Sequence, residues 1–175
     1  EETAEQKQQV PQQFAGKTIK ESYLVRDVAF MPTFDNISSK ADFVVRAKVE
    51  DVDYITVNRT EDESQGKQPW TVIRVTVYES LKGDIPAGEQ TIYAYGGYIS
   101  EFDNLGEDSM RAHGEYASEE EFLRDKAEKQ NSILHITFDG SKPPEAGKEY
   151  LFYLAGSIDG GVTPEGSYEL FCGEY

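Results

Sequence analysis

The sequence predicts a mainly β domain, a five-stranded antiparallel barrel with a helix-containing insertion between its third and fourth strands. Apolar and polar side chains alternate with period two over residues 43–54, 71–78, 90–95 and 150–154, as half-buried strands require. Turns containing Gly or Pro punctuate these runs. Between the third and fourth runs lies an insertion, about residues 96–146, too long to be a plain connection and so expected to carry structure of its own.

In the first strand Phe43, Val45, Ala47 and Val49 share one face, after which Val52 and Tyr54 carry the apolar pattern. A period-two pattern slips by one only where a residue is inserted, so a bulge is expected near Glu50 and Asp51. A long strand bent in its middle can serve both halves of a small barrel. Just before it, Asp35 or Asn36 is placed to cap a helical turn over 37–42.

The polar stretch 58–69 reads as a solvated hairpin loop. It leads to a second strand with Ile73, Val75 and Val77 inward and Arg74, Thr76 and Tyr78 outward. Leu81-Lys82-Gly83-Asp84 and Pro86-Ala87-Gly88 turn the chain into a third strand, where Ile92 and Ala94 alternate with Tyr93 and Tyr95. Gly96-Gly97 breaks this ladder. Residues 99–114 read as acidic and irregular, with His113 in a loop. Residues 118–130 read as a helix opened by a Ser118/Glu121 capping box, with a narrow apolar stripe of Phe122, Leu123 and Ala127. Residues 132–138 suit an extra strand with Leu134, Ile136 and Phe138 on one face and His135 exposed on the other. Tyr150, Phe152 and Leu154 mark the fourth barrel strand. After the Asp159-Gly160-Gly161 turn, residues 167–172 close the sheet and bury the lone thiol of Cys172.

Residues 1–20 are polar, Gln-rich and interrupted by Pro11, and are expected to be a flexible leader to a single domain over 21–175. The chain starts at Glu1 and not at Met, which suggests that a leading segment has been removed. A ragged cytosolic terminus is the alternative. No run of about 18 apolar residues occurs, so membrane contact is expected only through a removed N-terminal anchor. With 33 acidic and 17 basic side chains the net charge is −16, which opposes contact with phosphate backbones and argues against a nucleic-acid partner.

The segment Ala41-Asp42-Phe43-Val44-Val45-Arg46-Ala47-Lys48-Val49 resembles the first barrel strand of the netrin-like module, the OB-type domain of tissue inhibitors of metalloproteinases. Val75-Thr76-Val77-Tyr78-Glu79-Ser80-Leu81-Lys82-Gly83 resembles the second strand of that family, and Gly147-Lys148-Glu149-Tyr150-Leu151 its entry to a later strand. Similar wording recurs in exported lipoproteins of Gram-positive bacteria. The resemblance implies an OB-type barrel and an extracellular, lipid-anchored location on a bacterial cell surface. It does not extend to inhibition through an amino-terminal cysteine, because no Cys precedes the first strand.

Catalytic spacings are not found. His113 and His135 stand in no His-x-x-x-His or His-Glu-x-x-His pattern, and no Gly-x-Ser-x-Gly elbow or phosphate loop occurs. Glu101, Asp103, Glu107 and Asp108 are the carboxylates with most bearing on Ca²⁺, and their spacing departs from the calcium-loop pattern, so no metal and no cofactor is expected. Trp70, Tyr93, Tyr95 and Tyr98 are the candidate binding residues, as aromatics on a barrel face hold peptide, glycan or protein. The competing reading packs the insertion over them as a second core. The expected function is therefore a non-catalytic extracytoplasmic binding module, tethered at the surface, with a protein or peptide partner. The alternative is an inhibitor or regulator of a secreted protease acting through barrel loops. Oligomeric state is left open.

Overall fold

A computed structural model describes residues 10–24, 34–138, 142–156 and 168–170. The chain runs β1 (Thr18–Leu24), α1 (Phe34–Lys40), β2 (Phe43–Asn58), β3 (Lys67–Lys82), β4 (Gly88–Tyr95) and β5 (Gly97–Ser100). It continues through α2 (Glu101–Leu105), α3 (Glu107–His113), α4 (Glu119–Asn131), β6 (Ser132–Phe138), β7 (Glu149–Gly156) and β8 (Tyr168–Leu170). The protein is mainly β, and its strands form two sheets.

The larger sheet curls into a ring in the order β2-β3-β4-β8-β7. Its strands pair antiparallel except at one seam, where Ile92 and Tyr93 of β4 run parallel to Tyr168 and Glu169 of β8. This corrects the expectation of a wholly antiparallel barrel. A ring of five strands cannot reverse direction at every step, so one neighbouring pair must run the same way. The β2–β3 register shifts between Val49 and Asp51, where the slipped apolar pattern predicts a bulge. Two further shifts, at Val44/Val45 and Arg46/Ala47, add to the bend.

Val45, Ala47, Val49, Ile73, Val75, Val77, Ile92, Phe152 and Leu154 fill the ring, joined by Ile85 from the β3–β4 turn. Each fully buried Val, Ile, Leu or Phe side chain contributes roughly 1.5–3 kcal/mol. On the outside of the ring, Ile37 and Ala41 of the α1 segment pack on Val44 and Tyr153. The Lys82 ammonium donates to the carbonyls of Ser38 (2.9 Å), Ser39 (3.1 Å) and Ala41 (2.5 Å), placing a cation at the carbonyl-rich end of α1.

The smaller sheet has the order β1-β6-β5. Strand β1 pairs in parallel with β6 from Thr18↔Ser132 to Leu24↔Phe138. The flexible leader expected over 1–20 is thus corrected at its C-terminal end, where residues 18–20 belong to a strand and Gln12–Phe14 form a single 3₁₀ turn. Backbone pairing to β6 supplies the ordering that the side chains of this polar stretch do not. Residues 1–9, Cys172 and the Asp159-Gly160-Gly161 turn lie outside the described residues.

The insertion is more regular than expected. In place of an irregular stretch over 99–114 there are two short helices. Ser100 caps α2, its hydroxyl accepting from the Asp103 amide at 2.9 Å, and Gly106 both ends α2 and begins α3. His113 closes α3 and does not sit in a loop. In α4 the Ser118 hydroxyl accepts from the Glu121 amide at 3.3 Å, as the capping pattern predicts. Of the expected stripe only Phe122 is buried, while Leu123 is 53% exposed and Ala127 is exposed. Lys126 replaces them, its ammonium 4.6 Å from the Phe102 ring centroid, and the Arg111 guanidinium covers Phe122 at 3.7 Å.

Candidate functional site

The corner where the chain leaves the barrel for the smaller sheet is Gly96-Gly97. Both residues have positive φ, 112° and 125°, and a Cβ on Gly97 would lie 2.8 Å from the Tyr54 ring. The Thr71 hydroxyl donates to the Gly96 carbonyl at 3.0 Å and holds the corner down. The bend carries Tyr98 under the outer end of β2. There its ring stacks on Phe14 (5.5 Å between centroids) and meets Tyr54 edge-on at 4.9 Å.

Tyr98 also begins a row across the smaller sheet. It pairs with His135, which pairs with Glu21, so one residue of each strand lies in line. The Tyr98 and His135 rings stack 4.3 Å apart at 8°, and His135 Nδ1 lies 2.9 Å from a Glu21 carboxylate oxygen. Only 6% of His135 is exposed, which corrects the expected solvent-facing position. β6 is the middle strand of three and is covered on both faces, so its alternation does not separate inside from outside. Burial, with Tyr54 and Glu21 close by, pushes the Tyr98 phenol up to about 12.

The four candidate binding aromatics do not form one exposed surface. Trp70 is 7% exposed and Tyr98 2%, while Tyr93 and Tyr95 are half-buried. Trp70 and Tyr95 pack edge to face at 5.5 Å as register partners across β3 and β4. Tyr98 is the centre of a second core built by the insertion and the N-terminal segment. Trp70 and Tyr98 are thus mostly packed against other side chains.

The acidic cluster also disperses. Glu101 accepts from Lys20 (2.5 Å) and Ser132 (2.9 Å), and Asp103 accepts from Ser100 (2.7 Å) and pairs with Lys67 (3.2 Å). Glu107 joins Arg111 and Lys126, and these cations hold its carboxyl below the usual range. Asp108 accepts from Ser64 (2.7 Å) and Gln65 (2.9 Å). Among the described residues no three His, Cys, Asp or Glu side chains gather as a metal-binding group. Several of these contacts, with Arg59 donating to Asn104 at 3.0 Å, fasten the tip of the β2–β3 hairpin to the insertion. The β2–β3 loop is thereby engaged within the molecule.

What the arrangement does create is a groove of about 660 Å³ between the N-terminal segment, the outer end of β2 and α4. Tyr98, Ile99 and Ile133 form its floor, Tyr54, Ile55 and Thr56 one wall, and Ala127, Gln130 and Asn131 the other, with Gln13, Phe14 and Lys17 at the rim. The Lys17 ammonium crosses the rim to the Gln130 carbonyl at 3.2 Å. Its size lies in the range of roughly 300–1,000 Å³ common to small-molecule sites. Of the expected aromatics only Tyr98 reaches this groove. The signal for the rim was Phe14, an isolated large aromatic in an otherwise polar stretch. Gln130 and Asn131 carried no signal, since polar residues at a helix end have many uses.

No known protein family, curated protein or solved structure matches the chain. Among the described residues no helix is long and apolar enough to cross a membrane.

Proposed function

We propose that this protein is a non-catalytic binding module of the OB type, netrin-like in its barrel, displayed outside the cytoplasm on a tethered surface protein. The strand order supports the barrel assignment. Numbered along the ring, the five strands run first, second, third, fifth, fourth, with the parallel seam between third and fifth. The netrin-like wording at 41–49, 75–83 and 147–151 supports the extracytoplasmic setting.

The groove beside the barrel carries the reading. It is concave, is built on paired strands and a helix, and combines a buried floor with walls of mixed polar and apolar side chains. Its titratable groups serve structure: Lys17 reaches a backbone carbonyl and Asp103 is held by Ser100 and Lys67. The expected partner is a cell-surface molecule, a protein or peptide or the glycan it carries. The test is retention of cell-surface material by the immobilised wild-type protein and by Ala127→Trp, which fills the groove from an exposed helix position. Saturable retention by the wild type alone is expected. Equal retention by both proteins, or none, would count against the reading.

A further inference from the structure

The chemistry of the groove narrows what enters it, and this inference rests on the binding-module reading above. The side-chain amides of Gln13 and Gln130 make no hydrogen bond within the protein among the described residues, and both line the opening. Asn131 donates its Nδ2 to the Ala127 carbonyl at 3.1 Å and keeps its Oδ1 for a ligand. An amide donates and accepts at once, as a ligand hydroxyl does.

Charge is sparse at this site. In a chain of net charge −16, the groove holds one carboxylate, Asp103, already paired with Lys67, and one ammonium, Lys17, whose only bond among the described residues is to the neutral Gln130 carbonyl. Recognition therefore falls mainly to neutral polar groups, with a single cation at the rim. Apolar area is confined to one wall: Tyr98, Ile99 and Ile133 are at most 2% exposed, so the floor offers little, and Ile55, 37% exposed, is the open large aliphatic side chain of the lining. The ring of Phe14, stacked on Tyr98 and half-buried at the rim, leaves only part of its surface for the C–H side of a sugar ring. We propose that the groove binds a hydroxyl-rich ligand, a short oligosaccharide, through the amides of Gln13, Gln130 and Asn131 and the Phe14 ring.

The experiment is calorimetric titration of the full chain with chitotetraose, cellotetraose, maltotetraose and mannotetraose. It is repeated on Gln13→Ala/Gln130→Ala and Ala127→Trp, with thermal melts of all three proteins. At least one tetrasaccharide is expected to saturate with a dissociation constant of about 1 mM or tighter. The amide double variant is expected to weaken it at least about tenfold, and Ala127→Trp to abolish it, with melting temperatures unchanged. No saturation by any tetrasaccharide, or binding indifferent to both variants, overturns the proposal. In a parallel arm the proteins are offered an array of unmodified peptides. Peptide binding that Ala127→Trp abolishes, with no sugar binding, overturns the sugar assignment and leaves the binding-module reading standing.

Discussion

Gly66 and Gly106 face each other across the contact between the β2–β3 hairpin and the insertion, and neither has room for a side chain. A Cβ on Gly106 would lie 2.4 Å from the Ser64 carbonyl oxygen and 2.5 Å from the Gly66 nitrogen. A Cβ on Gly66 would lie 3.0 Å from the Asn104 carbonyl oxygen. Their dihedrals (φ 88°, ψ 174° and φ 80°, ψ 154°) also lie in a region reserved for glycine. Two backbones thus meet directly, with Arg59, Ser64, Gln65 and Asp108 bonding around them.

Gly106→Ala should therefore destabilise the protein by at least about 1–3 kcal/mol, from backbone strain before any clash is counted. Chemical denaturation measures the loss. Gly147→Ala is the control: it shares positive φ (85°) but meets nothing within 4 Å, so its cost should be strain alone and smaller.

Tyr98→Ala should cost about 3–5 kcal/mol, the range for truncating a large buried aromatic. The ring contacts Phe14, Tyr54 and His135, so three segments lose a common neighbour. A melting temperature within a degree or two of wild type would show that the ring is a surface feature after all.

Glu21→Ala removes the partner of His135 Nδ1 and leaves a buried ring nitrogen unanswered, at a cost of about 1–3 kcal/mol. The damage should be local. Hydrogen exchange is expected to quicken at the β1 amides and to stay unchanged at Val75, inside the barrel.

Acid should loosen the insertion before the barrel. The Glu107 carboxyl is lowered by Lys126 and Arg111, Glu119 by Arg111, and Asp125 by the Tyr116 hydroxyl that donates to it at 2.6 Å. A carboxyl lowered in the folded state stabilises that state above its unfolded value, about 4, and the benefit fades as pH falls through the folded value. Stability should thus be flat near neutrality and decline below about pH 4. Glu107→Gln should shrink that decline, as followed by melts across the acid range.

The barrel was legible because a two-residue period records which side of a strand is wet. Val45, Ala47, Val49, Ile73, Val75, Val77 and Ile92 all lie inside, and the slip after Val49 marks a real bulge. Legibility failed where burial comes from both faces or from backbone pairing. His135 reads as exposed because its strand alternates, yet β1 and β5 flank it and Tyr98 stacks on it. Residues 18–20 look like leader because their side chains are mostly polar, and the bonds that order them belong to the main chain. The groove was illegible for a related reason: its lining comes from residues far apart in sequence, such as Gln13, Thr56 and Gln130.

The odd-numbered ring has a consequence for how the chain must assemble. Its last strand, β8, supplies the seam against β4, and β1 must wait for β6, with Glu21 and His135 separated by 114 positions. A nascent chain leaving the ribosome can form the β2–β3 hairpin early, but neither sheet is complete until distant partners have been synthesised. Such late long-range pairing slows folding and leaves sheet edges bare in the interim. Newly made chains should therefore depend on a holding chaperone far more than their modest length suggests.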